Sequence, residues 1–205
     1  SYARAVSCKL DDIVITAGAQ QAFDLLARTL IRVPGTIVAV EDPCYTPMRQ
    51  AFENAGASVI GVGVDQYGLD VARVPAAAKV ICVTPSHQFP LGLAMSPERR
   101  MQLLDQARRH GAMIVEDDYD CEYRYDGRPL DALQTLAPEQ VCYVGTFSKT
   151  MFAALRLGYA VIPQSLRNDL LSIRKVADGF CAPVPQLALA SFIREGHLHR
   201  HIRRM

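Results

Sequence analysis

The chain has 205 residues, half of them hydrophobic and a fifth charged, with a formal net charge of +1. That length supports one good core, as a single domain or as part of a larger protein, and the composition is globular rather than disordered or fibrous. The near-neutral balance gives no electrostatic case for nucleic-acid binding by this stretch itself, and no apolar run is long enough to span a bilayer.

Short β-branched runs alternate with helical stretches along the chain. Residues 13–16 read as a strand, followed by Gly18 and a helix over about 20–32. A second strand over 36–40 ends at Glu41-Asp42-Pro43, and a helix over 45–55 stops at Gly56. Residues 58–64 and 79–84 read as the third and fourth strands. Ser96-Pro97-Glu98 starts a helix, with Ser at the N-cap and Pro at the first helical position, and Gly111 supplies its stop. Strands five to seven fall at 112–115, 141–144 and 157–162. The runs are almost continuously apolar, which predicts a mostly parallel sheet buried on both faces. Pro163 and Pro183-Val184-Pro185 separate helices rather than domains. Residues 195–205 form a basic helical pattern with no stop, so the chain is expected to finish inside a helix, as a fragment.

The six cysteines, Cys8, Cys44, Cys82, Cys121, Cys142 and Cys181, include no C-x-x-C pair. They predict free thiols and a reducing, cytoplasmic compartment. Ser1-Tyr2-Ala3-Arg4 begins nothing like a signal peptide.

In open α/β sheets, ligands bind beyond the carboxyl ends of the strands. Here those ends collect Gly18-Ala19-Gln20, Asp42-Pro43-Cys44-Tyr45, Pro85-Ser86-His87-Gln88, Asp117-Asp118-Tyr119 and Thr146-Phe147-Ser148-Lys149. Three of these have a plain alternative, a tight turn at Gly18, a core aromatic at Tyr45 and a solvated loop lysine at Lys149, and so does Arg156 beyond them, as a surface ion pair. Taken functionally, the helix start after Gly18 offers N–H groups to a phosphate, and Tyr45 offers a flat face to an aromatic ring. Lys149, desolvated beside cations, gains nucleophilicity towards an aldehyde. Arg156 offers a planar fork for a phosphate. Side chains of neighbours diverge, so only one of Asp117 and Asp118, at the strand end, can serve a ring nitrogen; the pair is too few oxygens for Mg²⁺ or Ca²⁺. Gly61-Val62-Gly63 lacks the helix-opening third glycine of a dinucleotide site. Of His197, His199 and His201, only the first and last share a helix face, and no acidic or cysteine partner is evident for a zinc site.

Five segments in register carry a resemblance: Ile15-Thr16-Ala17-Gly18-Ala19-Gln20-Gln21-Ala22, Glu41-Asp42-Pro43-Cys44-Tyr45, Thr84-Pro85-Ser86-His87-Gln88-Phe89-Pro90-Leu91-Gly92, Glu116-Asp117-Asp118-Tyr119-Asp120 and Gly145-Thr146-Phe147-Ser148-Lys149. Together they resemble the fold type I enzymes dependent on pyridoxal 5'-phosphate (PLP), the aspartate aminotransferase superfamily. The finer match, in His-Gln-Phe-Pro-Leu-Gly at 87–92, Asp-Asp-Tyr-Asp-Cys-Glu-Tyr-Arg-Tyr at 117–125 and Phe-Ser-Lys-Thr-Met-Phe-Ala-Ala-Leu-Arg-Leu-Gly-Tyr at 147–159, is to the aminotransferase-like domain of MocR-type regulators in the GntR family.

The resemblance implies a three-layer α/β/α fold with a mostly parallel seven-stranded sheet: the PLP-binding large domain, partial over 1–205. A winged helix-turn-helix would precede Ser1 in a regulator, and a small domain would follow Met205. It implies that Lys149 forms a Schiff base with PLP, that Asp117 faces the ring nitrogen, and that Tyr119 bonds the ring 3-oxygen. Tyr45 would stack on the ring, and Ala19, Gln20, Thr146 and Arg156 would hold the phosphate, Ala19 through its backbone alone. The usual Asn-Pro-x-Gly departs to Gln88-Phe89-Pro90-Leu91-Gly92, which leaves His87 and Gln88 as alternatives for a further ring-oxygen contact. The implied function is an effector domain of a transcriptional regulator that senses an amino compound. The alternative is a catalytic aminotransferase, and in either case a homodimer is expected.

Overall fold

The central strands carry apolar side chains on both faces, so they need helices on both sides to cover them. The structure, a computed structural model, describes residues 6, 8–120 and 131–204. Residues 1–4, Cys121, the 121–125 part of the tyrosine-rich motif and Met205 lie outside the described residues. Among the described residues eight strands form one sheet: β1 (Ile13–Thr16), β2 (Ile37–Asp42), β3 (Ser58–Asp65), β4 (Gly68–Leu69), β5 (Val80–Val83), β6 (Met113–Asp118), β7 (Val141–Thr146) and β8 (Gly158–Val161). Their order is β1-β8-β7-β6-β5-β2-β3-β4. The run from β3 through β2, β5 and β6 to β7 is parallel; β8, β1 and β4 pair antiparallel.

The helices are α1 (Ala19–Leu30), α2 (Thr46–Asn54), α3 (Pro97–His110), α4 (Leu133–Leu136), α5 (Arg167–Ala177), α6 (Pro183–Arg194) and α7 (His197–Ile202). Alternate strand residues divide between two cores. Val38, Val40, Val80, Cys82 and Val115 join Phe23, Leu26, Met48, Phe52 and Leu170 of α1, α2 and α5. Ala39, Ile81, Val83 and Ile114 join Leu103, Leu104 and Leu133 of α3 and α4. That division is the three-layer architecture, and it follows from the period of two along each strand.

The expected seven strands become eight. The added β4 has two residues and shows no periodicity; a tight turn returns it to β3, with Tyr67 N–H donating to Asp65 Oδ1 at 2.8 Å and Gly68 at φ 107°. A Cβ on Gly68 would lie 2.8 Å from Met95. The start and stop of α3 are as expected: Ser96 Oγ accepts from Arg99 N–H at 3.2 Å, and Gly111 is left-handed at φ 63°. The helix expected over 195–205 is shorter: α7 begins after Gly196, at φ 73°, and ends at Ile202, so Arg203 and Arg204 stand outside it.

Three strands run further than their apolar cores suggest. β2 continues through Glu41-Asp42, β6 through Glu116-Asp117-Asp118, and β7 through Gly145-Thr146. The ladders continue with them: Asp117 pairs with Val144, and Asp118 with Gly145. Polar side chains destined for a site are thereby fixed on strands rather than on loops.

Candidate functional site

All five strand-end segments converge at one end of the sheet. A cavity of about 200 Å³ is lined by Ala19, Gln20, Phe23, Tyr45, Phe89, Asp117, Tyr119, Thr146, Ser148, Lys149 and Arg156. A second space of about 520 Å³ shares Phe89, Tyr119 and Lys149 with it and adds His87, Gln88, Pro90, Gly92 and Asp120. The ten residues singled out from sequence therefore divide: eight line the first cavity, and His87 and Gln88 line its neighbour.

The two aspartates part as strand alternation requires. Asp118 accepts a hydrogen bond from Tyr143 Oη at 2.6 Å. Asp117 lines the cavity, and its buried Oδ1 has no hydrogen-bond partner among the described residues. Burial first, then the charges of Asp118, Glu41, Asp120 and Glu116, push the Asp117 carboxyl up to about 8. A buried acceptor in this state lacks a donor, best a cationic one. Glu116, on the same side of β6 as Asp118, accepts the N–H groups of Leu133 and Gln134 at 3.1 and 3.0 Å and so caps α4.

One corner of the cavity is built on Gly18. It stands at φ 83° and precedes α1 with no side-chain cap, leaving the helix start open to the cavity. The Arg156 guanidinium lies over it, 3.4 Å from where a Gly18 Cβ would be, and donates to Ala17 O at 2.8 Å. Arg156 is itself left-handed at φ 50°, the sole non-glycine with positive φ among the described residues. That conformation costs about 1–2 kcal/mol and is the kind of strain that accompanies functional positions. Across from it, Ser148 N–H donates to Thr146 Oγ1 at 3.2 Å, closing the turn before Lys149. Gly158 lets these parts meet: its Cβ would fall 2.9 Å from both Gly145 O and the Gly18 carbonyl carbon. Gly158→Ala is expected to cost about 1–3 kcal/mol in chemical denaturation, because only backbone could give way.

Aromatic rings wall the cavity. Tyr45 stands 6.4 Å from Phe23 and edge-on to Phe89 at 5.9 Å; Phe89 is edge-on to Tyr119 at 6.2 Å. Gln88 commits its amide to the backbone. Its amide donates to Pro43 O at 2.7 Å and Phe89 O at 2.9 Å, with Glu41 Oε2 at 3.3 Å. Glu41, raised to about 7 chiefly by burial, also accepts from Thr84 N–H at 3.1 Å. Glu41 and Gln88 thus tie the Tyr45 loop to the Phe89 loop.

Lys149 differs from expectation in being exposed, so desolvation of its amine is left to whatever fills the cavity. Phe23, Phe89, Ser148 and the Glu41 strut were not legible as site residues. Phe23 reads as helix core, and Phe89 stands where the family's amide is usual. Among the described residues no group of three His, Cys, Asp or Glu could hold a metal ion. The C-terminal histidines make local contacts instead, and His197 does have an acidic neighbour, Glu195 Oε2 at 3.1 Å. The described cysteines are free thiols, and no helix of the described residues is long and apolar enough to cross a membrane.

The family model for aminotransferase class I and II matches residues 3–205. The chain belongs to that family. Among the relatives of this chain is the probable rhizopine catabolism regulatory protein MocR of Rhizobium meliloti, 39% identical over 204 residues, a match spanning 98% of this chain and 41% of that protein. Another is the HTH-type pyridoxine biosynthesis transcriptional regulator PdxR of Corynebacterium glutamicum, 34% identical over 202 residues, 98% of this chain and 44% of that one. Among solved structures, the kynurenine aminotransferase of Pyrococcus horikoshii, described in complex with PMP, superposes with a TM-score of 0.88 at 31% identity, over 94% of this chain and 50% of that one. The chain spans about four-tenths of the length of these two curated relatives.

Proposed function

We propose that this chain is the PLP-binding, aminotransferase-like effector domain of a transcriptional regulator, which senses an amino compound through a Schiff base at Lys149. The observation that carries the cofactor reading is the buried, unpartnered Asp117 Oδ1 in the same cavity as Lys149. When bound, PLP supplies an aldehyde for amines and an electron-withdrawing ring. The residues present fit that group.

Lys149 would be the amine that holds the cofactor's aldehyde carbon. Asp117 holds a proton on the ring nitrogen and thereby fills its own missing contact. Tyr45 and Phe89, which line the cavity, would exclude water from the ring, and Tyr45 would offer it a flat face. The α1 start at Ala19 and Gln20, the Thr146 and Ser148 hydroxyls and the Arg156 fork bind the phosphate. Tyr119 donates to the ring 3-oxygen. Of the two alternatives beside it, Gln88 is set aside, since its amide is committed to Pro43 and Phe89, while His87 lies against the Tyr119 hydroxyl itself.

The regulator reading is favoured by regulators among the relatives, MocR and PdxR included. In it, amine exchange at Lys149 biases the arrangement of the whole protein, a cytoplasmic homodimer that meets DNA through a separate domain. The full-length protein is expected to bind a specific DNA site, with affinity falling by about 10³–10⁵ between 50 and 200 mM salt if 6–10 phosphates are contacted. Undetectable DNA binding together with robust transamination would instead make the protein an aminotransferase.

A further inference from the structure

His87 stacks on Tyr119, with ring centroids 5.9 Å apart and planes inclined by 21°. Its Nδ1 lies 3.3 Å from the Tyr119 hydroxyl and also meets Asp120 Oδ2. One ring nitrogen thus faces two oxygens. An ionised carboxylate only accepts, so Asp120 fixes the proton on Nδ1. An Nδ1–H placed between Asp120 and Tyr119 makes both oxygens acceptors. The Tyr119 hydroxyl then has no acceptor in His87, and its own hydrogen turns to the remaining side, the cavity it lines with Asp117 and Lys149.

We propose that His87 and Asp120 are a positioning dyad that aims the Tyr119 hydroxyl hydrogen into the cavity, as donor to an oxyanion of the bound ring. The proposal rests on the PLP reading, in which that oxyanion is the ring 3-oxygen. It also accounts for Phe89 in place of an amide: a second donor is dispensable where the first is locked in direction. Tyr119 is faced by Asp117 and Asp118 from β6, Asp120 beside it and Glu41 from β2, by His87 from the segment after β5, and by Lys149 from the segment after β7. Burial and the four carboxylates hold the Tyr119 phenol well above its ordinary range, so it remains a donor at neutral and moderately alkaline pH.

A hydrogen bond donated to an anion stabilises it. The ring 3-oxygen and the Lys149-linked nitrogen compete for one proton, so an aimed donor lowers the pH at which that nitrogen loses it. The test is a pH titration of the visible absorbance of the intact, PLP-loaded protein. His87→Ala and Asp120→Asn should each raise the midpoint by about one pH unit, the worth of a charge-assisted hydrogen bond. Tyr119→Phe should raise it at least as far, and His87→Ala should add nothing in that background. His87→Asn, which returns an N–H close to the place of Nδ1, should recover part of the shift. An unmoved midpoint in His87→Ala, or an equal further shift in the Tyr119→Phe background, overturns the dyad.

Absence of colour in the wild-type protein would overturn the PLP reading separately. The dyad is then decided without cofactor, by ¹⁵N NMR of the His87 ring at pH 9. Nδ1–H should dominate in the wild type and lose that dominance in Asp120→Asn. An Nε2–H ring in the wild type overturns the dyad whatever the cofactor.

Discussion

Lys149→Ala is expected to abolish the visible absorbance of the intact protein incubated with PLP, and Lys149→Arg to abolish it equally. Lys149 is the one lysine among the residues lining either space. A Schiff base needs an amine that can shed its proton, which a guanidinium cannot do. Arg156, on the far side of the turn, therefore cannot stand in. The corner at Gly18, Arg156 and Thr146, proposed to hold the phosphate, is untouched by either change, so PLP should still bind, reversibly and without the linkage. Spectroscopy before and after gel filtration separates the two: colour that survives filtration in Lys149→Ala would remove Lys149 from its assigned role.

Asp117 carries the second large effect, on both affinity and stability. Asp117→Ala should weaken cofactor binding about 10- to 100-fold, the value of one hydrogen bond to a charged group at ~1.5–3 kcal/mol. The pH dependence of the cofactor-free protein gives an independent measure. A carboxyl whose folded pKa lies above its unfolded value binds protons more tightly when folded. Its stabilising contribution is complete below the unfolded value near 4 and is lost as pH rises through the folded value. For Asp117 the window runs from its ordinary 3.8 to about 8. Glu41 and Glu116, both raised to about 7 mainly by burial, act in the same direction over a narrower range. Cofactor-free protein should therefore lose stability in urea steadily from pH 5 to 8. Asp117→Asn should flatten that slope, and PLP should flatten it too, because a ring N–H supplies the donor that Oδ1 lacks. A slope unchanged by Asp117→Asn would mean that the carboxyl is already satisfied.

Much of this site is legible in the sequence because its parts are short and local. Gly18, Asp117-Asp118-Tyr119 and Ser148-Lys149 each follow an apolar run, and parallel strands deliver all their ends to one side. Ser96 and Gly111 mark α3 by chemistry that acts within one turn. Other features needed partners distant in the chain. β6 extends to Asp118 because β7 offers Val144 and Gly145 beside it, which residues 116–118 alone do not reveal. β4 exists because β3 gives two residues a ladder to join.

The sequence by itself determined the fold class, the family and the residue types at the cavity, since each is encoded by apolar period, turn chemistry and motif. Only the tertiary structure decided among equivalents. It turned Asp118 to Tyr143 and left Asp117 with an unmet acceptor. It bound Gln88 to Pro43 and Phe89 and left His87 against Tyr119, and it folded the strained Arg156 onto Gly18. Neighbours in sequence share composition and spacing; which one faces a ligand depends on where strands and loops far along the chain place their own donors, acceptors and rings.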